Sequence, residues 1–193
     1  MNGTGTALLE TKRLILRPFT MDDAHDMYHN WANNTHVTRF LTWPVHESEA
    51  DSAQILATWV KDYEDPNTYQ WCIQLKKNQQ AIGCIGVVHQ NGEIDAVEVG
   101  YCLSEEYWRQ GIMTEALKAV VRYLFEKAGC NRVSAKHDVN NPNSGRVMKA
   151  AGMQYEGTLL QSSKNNQGIC DMSVYAITRD FFLQSENQQE HSG

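Results

Sequence analysis

The sequence predicts a mixed α+β domain, and three observations predict it. Short apolar alternations, the mark of strands, interleave with stretches whose apolar residues recur at helical spacing, in the order β-α-α-β-β-β-α-β-α-β-β. Two capping boxes, Thr20-Met21-Asp22-Asp23 and Ser48-Glu49-Ala50-Asp51, open helices. A hairpin signal, Gln90-Asn91-Gly92-Glu93, joins two strands. A chain of 193 residues can bury a sizeable core as one domain, placed at residues 1–182. Residues 183–193 form a polar tail without periodicity, expected to be disordered.

The first strand is Arg13–Phe19, which alternates. Met21, Ala24, Tyr28 and Trp31 give the next helix its apolar face. Phe40, Leu41 and Trp43 follow in an irregular context. Such aromatics either line a ligand pocket or pack a helix against a sheet, and both readings stand. The helix after Ser48 buries Ala53, Leu56, Val60 and Tyr63, and Asp65-Pro66-Asn67 ends it. Tyr69–Leu75 and Ala81–His89 read as strands joined by a polar turn. Gly83-Cys84-Ile85-Gly86 lies inside a strand and lacks the G-x-G-x-x-G spacing, so it is no dinucleotide fingerprint.

The central stretch is Val97–Lys127. Val97, Val99, Tyr101 and Leu103 alternate with Glu98, Gly100 and Cys102, as on a strand. Met113, Leu117, Val120, Val121, Leu124 and Ala128 then recur at helical spacing, with Gly129 as a stop. Between them, Arg109, Gln110, Gly111, Ile112, Met113 and Thr114 place free backbone N–H groups at a helix start beside a guanidinium. That suits an anion, above all a phosphate; an ordinary turn with a solvated arginine is the alternative. Arg132–Val139 is a further strand. Asn141 can cap the next helix, with Pro142 at its first position and Gly152 past its end. Tyr155–Leu160 and Cys170–Ile177 close the chain as a strand pair.

Bulk properties narrow the partners. A formal net charge of −6 argues against nucleic acid and suits a cationic substrate. There is neither an apolar run long enough to span a membrane nor a signal peptide, so a cytoplasmic location is expected. The five cysteines lack C-x-x-C spacing and read as reduced core thiols. The seven histidines are scattered, giving no metal-ligand cluster, so no metal is expected.

Several of these runs carry a family resemblance. Trp108-Arg109-Gln110-Gly111-Ile112-Met113 is similar to the [Q/R]-x-x-G-x-[G/A] motif of GNAT acetyltransferases, with Gly111 matching and Trp108 and Met113 departing. Residues 11–18 (TKRLILRP), Val99-Gly100-Tyr101, Tyr107-Trp108, Thr114-Glu115-Ala116-Leu117 and the Asp171…Tyr175 ending resemble the RimJ/RimL branch, the ribosomal-protein N-acetyltransferases and their relatives. Asn141-Pro142-Asn143-Ser144, with Lys149 and Gly152-Met153, resembles the second cofactor motif, with one extra residue before Gly152. The resemblance covers roughly residues 8–182. It implies three layers, a twisted, mostly antiparallel sheet flanked by helices and splayed near its centre. Acetyl-CoA would lie in the split, its pyrophosphate on residues 109–114, with Asn141 on the pantetheine arm and Ser144 near the sulfur.

The implied chemistry is acetyl transfer to an amine that must first lose a proton. At pH 7 that costs a lysine-like amine about 4.6 kcal/mol and an α-amine about 1 kcal/mol. Glu98, on the strand face opposite Val97 and Val99, is the candidate base, directly or through water; a plain surface carboxylate is the alternative. The N–H of Cys102 or Leu103 would polarise the thioester carbonyl. Many GNAT enzymes place a tyrosine where this chain has Met148, which leaves Ser144 as the nearest hydroxyl to the departing sulfur; a first-turn helix serine is its alternative. Trp31, Phe40 and Trp43 are candidate walls of the acceptor pocket. The acceptor is a protein N-terminal α-amine, or else a small amine or antibiotic. A non-catalytic acyl-CoA sensor is the rival class, favoured by a salt-bridged Glu98 and a plugged cleft. A homodimer is left open.

Overall fold

Alternation along the strands sorts their side chains onto two faces, and both faces are covered. The computed structural model describes residues 1–190. Its strands are β1 (Leu9–Glu10), β2 (Leu14–Arg17), β3 (Gln70–Leu75), β4 (Ala81–Asn91), β5 (Ala96–Leu103), β6 (Arg132–Asp138), β7 (Gln154–Asn165) and β8 (Gly168–Thr178). They form one sheet in the order β1-β2-β3-β4-β5-β6-β8-β7. Every neighbouring pair is antiparallel except β5 and β6. The expected mixed, mostly antiparallel sheet flanked by helices is therefore what the chain forms.

Two helices run at the carboxyl ends of the parallel pair: α4 (Ile112–Glu126) after β5 and α5 (Pro142–Ala150) after β6. Leu117, Val120, Val121 and Leu124 of α4 are fully or almost fully buried against Leu14, Leu16, Trp71, Ile73, Val97, Val99, Val133 and Ala135. The other face packs a smaller core under α1 (Ala24–Met27), a π turn over Tyr28–Ala32, α2 (Thr35–Thr38) and α3 (Glu49–Asp62). Phe19, Met27, Trp31, Leu56, Cys72 and Cys102 fill it. Both predicted capping boxes form, at Thr20/Asp23 and Ser48/Asp51.

The tail departs from expectation. The helix α6 (Arg179–Glu190) crosses residues 183–190, where composition predicts disorder. Its anchors are tertiary: Phe182 stacks on Phe125 with ring centroids 5.0 Å apart, and Glu186 pairs with Arg122. Only 191–193 of the predicted tail lie outside the described residues.

The position of the site follows from β5 and β6. Their parallel register lasts three rungs, Ala96↔Arg132, Val97↔Val133 and Glu98↔Ser134, and then they diverge. The gap opens towards the start of α4 on one side and the start of α5 on the other.

Candidate active site

The split between β5 and β6 holds an open cavity of about 870 Å³. Cys102, Leu103, Arg109, Gly111, Ile112, Met113, Thr114, Asn141, Ser144 and Phe40 all line it, brought together from four separate stretches of chain. Gln110 does not: its side-chain amide donates to the Glu106 carbonyl.

At one end lies the start of α4. Gly111 is its N-cap at φ +72°, a left-handed conformation glycine adopts at little cost, and no side chain caps the helix. The need for glycine is conformational, since an added Cβ would meet nothing closer than 3.6 Å. Arg109 is also left-handed, at φ +61°, and its guanidinium has no ion pair among the described residues. A clamp from the chain's other end holds this turn. Arg13 donates to the Gln110 carbonyl (2.9 Å) and is itself gripped by Glu115, 2.7 Å from its Nε and 2.8 Å from its backbone N–H. Thr11 adds a hydroxyl to the same carboxylate. Burial pushes the Glu115 carboxyl up, but these bonds outweigh it and hold it below the usual glutamate range. The clamp was not anticipated, because Arg13 and Glu115 are a hundred residues apart.

The cavity wall is cationic. Arg39, Arg109, Lys136 and Arg146 line it, and the only carboxylate among its described lining residues is Asp138, held by the Asn165 amide and the Asn140 N–H. In a chain of net charge −6 this concentrates positive charge where a polyanion would sit.

At the start of α5, Asn141 occupies the N-cap position but its side chain makes no cap hydrogen bond, so the plain capping role does not use its amide. The Ser144 hydroxyl lies 2.9 Å from the Tyr101 hydroxyl, which also donates to the Ser144 carbonyl at 3.2 Å. Burial raises the Tyr101 phenol well above its ordinary pKa, against the lowering effect of the Ser144 bond, so it stays protonated. Tyr101 reads in the sequence as one more strand residue, and its partnership with Ser144 needs the sheet to splay. Met148, at the position of the missing tyrosine, is core, 1% exposed. His137 is nine-tenths buried in the wall. Its Nδ1 donates to the Asp138 carbonyl at 2.8 Å, while Nε2 has no partner and packs over Gly145, where an added Cβ would stand 2.5 Å away.

Backbone alternation aims the amides of β5. Ser104 donates to Ile82 on β4, the Cys102 carbonyl also faces β4, and the Leu103 carbonyl accepts from Trp108 Nε1 on the opposite side. Leu103 and Tyr101 therefore turn their N–H groups into the split, and Cys102 does not. The Cys102 thiol lies 3.4 Å from that of Cys84; this bond and burial raise it well above its usual pKa. All five cysteines are free.

The remaining sequence candidates lie elsewhere. Glu98 is on the face opposite Val97 and Val99 as expected, but it is not in the cavity wall and pairs with Lys136 at 3.1 Å. The salt bridge by itself favours a sensor; the open cleft favours an enzyme. Trp31 is fully buried in the smaller core against Phe19, on the apolar face its helical spacing predicts, and it does not touch the cavity. Trp43 packs beside His46, with its carbonyl tied to Asn166. Phe40 lines the cavity, in a wall that also has His36, whose Nδ1 is 3.2 Å from Glu105 Oε1. Asn166, at the β7–β8 hairpin tip, fixes this wall by donating to the Thr38 carbonyl. The histidines are not all scattered: His25, His29 and Glu49 converge on an exposed face. No helix among the described residues is long and apolar enough to cross a membrane.

Comparison with known proteins agrees with this geometry. Residues 13–154 match the model of the acetyltransferase (GNAT) domain. The chain is 31% identical over 172 residues to a Bacillus subtilis protein named uncharacterized N-acetyltransferase YoaA, covering 89% of this chain and 97% of that one. It is 28% identical over 145 residues to the Escherichia coli ribosomal-protein-serine acetyltransferase, covering 75% and 80%. Its fold is similar to the crystal structure of the ribosomal-protein-S5-alanine acetyltransferase from Vibrio fischeri, with a TM-score of 0.80 at 21% identity over 90% of this chain and 97% of that one.

Proposed function

Since the chain belongs to the GNAT acetyltransferase family and is an acetyl-CoA-dependent N-acetyltransferase, we propose that it acetylates a protein N-terminal α-amine inside the β5–β6 cleft. The observation that carries this proposal is the cationic, open cavity ending on the uncapped start of α4. Free N–H groups at a helix start and four cationic side chains suit the phosphates of acetyl-CoA, with Arg109 the unpaired one at the turn. The amide of Asn141, released from capping, suits the pantetheine arm.

The same charge bears on the acceptor. An amine entering beside Lys136 and Arg39 is disfavoured as a cation, and a polycation more so. An α-amine reaches its neutral form for about 1 kcal/mol at pH 7, against about 4.6 kcal/mol for a lysine-like amine. The name of the Escherichia coli relative, a ribosomal-protein-serine acetyltransferase, supports a protein as the acceptor.

In the reaction the neutral amine attacks the thioester carbonyl, whose developing negative charge the Leu103 N–H stabilises from the split. The C–S bond breaks, and the Tyr101–Ser144 hydroxyl pair donates to the leaving sulfur. Coenzyme A is a fair leaving group, with a thiol pKa near 8.5, so a donated hydrogen bond suffices and full proton transfer is not required. The amine's proton passes to Glu98 through water, because Glu98 stands behind Lys136 and outside the wall.

The test is acetyl-CoA turnover across a panel of N-terminal peptides, amino acids, polyamines and aminoglycosides. Peptides with free α-amines should give the highest kcat/KM, and Nα-blocked peptides that keep a lysine should be poor. Turnover confined to polyamines or aminoglycosides would instead establish the small-amine acceptor, and coenzyme binding without turnover on any amine would establish the sensor.

A further inference from the structure

The face of the smaller core carries a cluster that acetyl transfer does not use. His25 lies in α1, His29 four residues on in the π turn, and Glu49 is the first residue of α3. Four residues along a helix put two side chains on one face, and the fold sets a third element against that face. His25 Nδ1 is 3.2 Å from Glu49 Oε2, and His29 Nε2 is 3.8 Å from the same oxygen. The two imidazole rings lie 4.3 Å apart. One donor atom from each of the three residues falls within 4.8 Å of the others.

We propose that His25, His29 and Glu49 form a surface site for a first-row divalent transition ion, most fittingly Zn²⁺. Zinc bonds to imidazole nitrogen and carboxylate oxygen are about 2.0–2.2 Å, so ligand atoms around a tetrahedral ion stand roughly 3.3 Å apart. The separations of 3.2 and 3.8 Å from Glu49 Oε2 bracket that value. Two nitrogens and one carboxylate are a donor set for zinc, copper or nickel and not for Mg²⁺ or Ca²⁺, which take oxygens. Three protein ligands leave a fourth position to water.

The cluster is otherwise poorly matched to itself. Two imidazoles crowd one carboxylate oxygen, and protonating both to satisfy it would place two cations in ring contact. A metal ion takes the same three groups with the histidines neutral. All three side chains are exposed, so their rotamers can close on the ion without disturbing the core.

The site has a structural consequence. The π turn and the start of α3 bound residues 33–48, and within that segment His36, Val37, Arg39, Phe40 and Leu41 form a wall of the cleft. An ion joining His25 and His29 to Glu49 ties the two ends of this segment together.

Isothermal titration of the chelator-stripped, tag-free chain with ZnCl₂ tests the assignment, with MgCl₂ as control. One equivalent should bind with Kd in the micromolar range or tighter, and zinc at a hundredfold excess over Kd should raise Tm by roughly 5 °C. His25→Ala, His29→Ala and Glu49→Gln should each weaken that equivalent at least about tenfold, the scale of losing one ligand. Circular dichroism of the metal-free variants shows whether each is folded. Cobalt substitution should give visible absorption in the wild type that the His25→Ala/His29→Ala double variant lacks. Failure of the wild type to bind zinc below millimolar concentration overturns the site. So does retention of the same equivalent, at the same affinity, by the folded double variant.

Discussion

The Lys136 ammonium lies 3.1 Å from the Glu98 carboxylate, just beyond the last rung that joins β5 to β6. Lys136 is in the cavity wall and Glu98 stands behind it. The pair therefore keeps Glu98 out of the cavity wall, so the base role proposed for it runs through water. Glu98→Gln should lower kcat with little change in the KM for acetyl-CoA. Steady-state kinetics with both substrates varied would decide this. Retention of kcat would move the base elsewhere, and His36, in the wall with its Nδ1 on Glu105, is the next group to replace.

Arg109 is the unpaired cation at the start of α4. Arg109→Glu places an anion among N–H groups that suit a phosphate. Coenzyme A affinity by calorimetry should fall by more than about tenfold, since a charge-assisted bond is lost and a repulsion gained. An unchanged Kd would move the pyrophosphate off this turn.

Tyr101 and Ser144 act as one unit if their hydroxyl pair serves the leaving sulfur. Ser144→Ala and Tyr101→Phe should each lower kcat about ten- to a hundredfold, from one or two hydrogen-bond-sized losses of about 1.5 kcal/mol. The double variant should be little worse than either single one, because each already breaks the pair. Additive losses would show the two hydroxyls acting separately, and a wild-type kcat in Ser144→Ala at saturating acetyl-CoA would remove the pair from the leaving sulfur.

The Glu115 clamp predicts a pH dependence of stability. Its folded pKa lies below the ordinary glutamate value, so its contribution is complete above the unfolded pKa of about 4.3 and is lost as pH falls through the lower folded value. Glu115→Gln should reduce stability at pH 7 by on the order of 1–2 kcal/mol, the low end for bonds to a charged group that is partly exposed. As pH falls below about 4.3 and through the lower folded value, its Tm should approach that of the wild type. A Tm difference constant from pH 7 to 3 would contradict the clamp.

Trp31 is a stability residue by position. Trp31→Ala should cost about 3–5 kcal/mol in denaturant unfolding, the usual loss for a large buried aromatic. Trp31→Phe should cost much less, because the Trp31 Nε1–H is buried without a partner and its removal leaves nothing unsatisfied. Neither should change the KM for the acceptor in the folded fraction; a specific rise in KM would place Trp31 at the acceptor after all.

The sequence by itself determined what is local. Period-two runs placed β2 through β6 and period-3.6 runs placed α3 and α4, because side-chain direction on strand and helix depends only on backbone geometry. The capping boxes, the uncapped Gly111 turn and the face that carries Glu98 were legible for the same reason, and the motif residues gave the family. What only the tertiary structure decided is where separate segments meet. The short β5–β6 register opens the split that brings Tyr101 to Ser144 and turns the Leu103 N–H inward. Trp31 lies on the apolar face its spacing predicts, and only the tertiary packing decides that this face fills the smaller core and not the cleft. Arg13 on Glu115, His25 and His29 on Glu49, and Phe182 on Phe125 join elements whose separation in the chain carries no periodic signal. Helix formation in the polar tail depends on that last contact, since local propensity is a weak term and a buried aromatic face outweighs it.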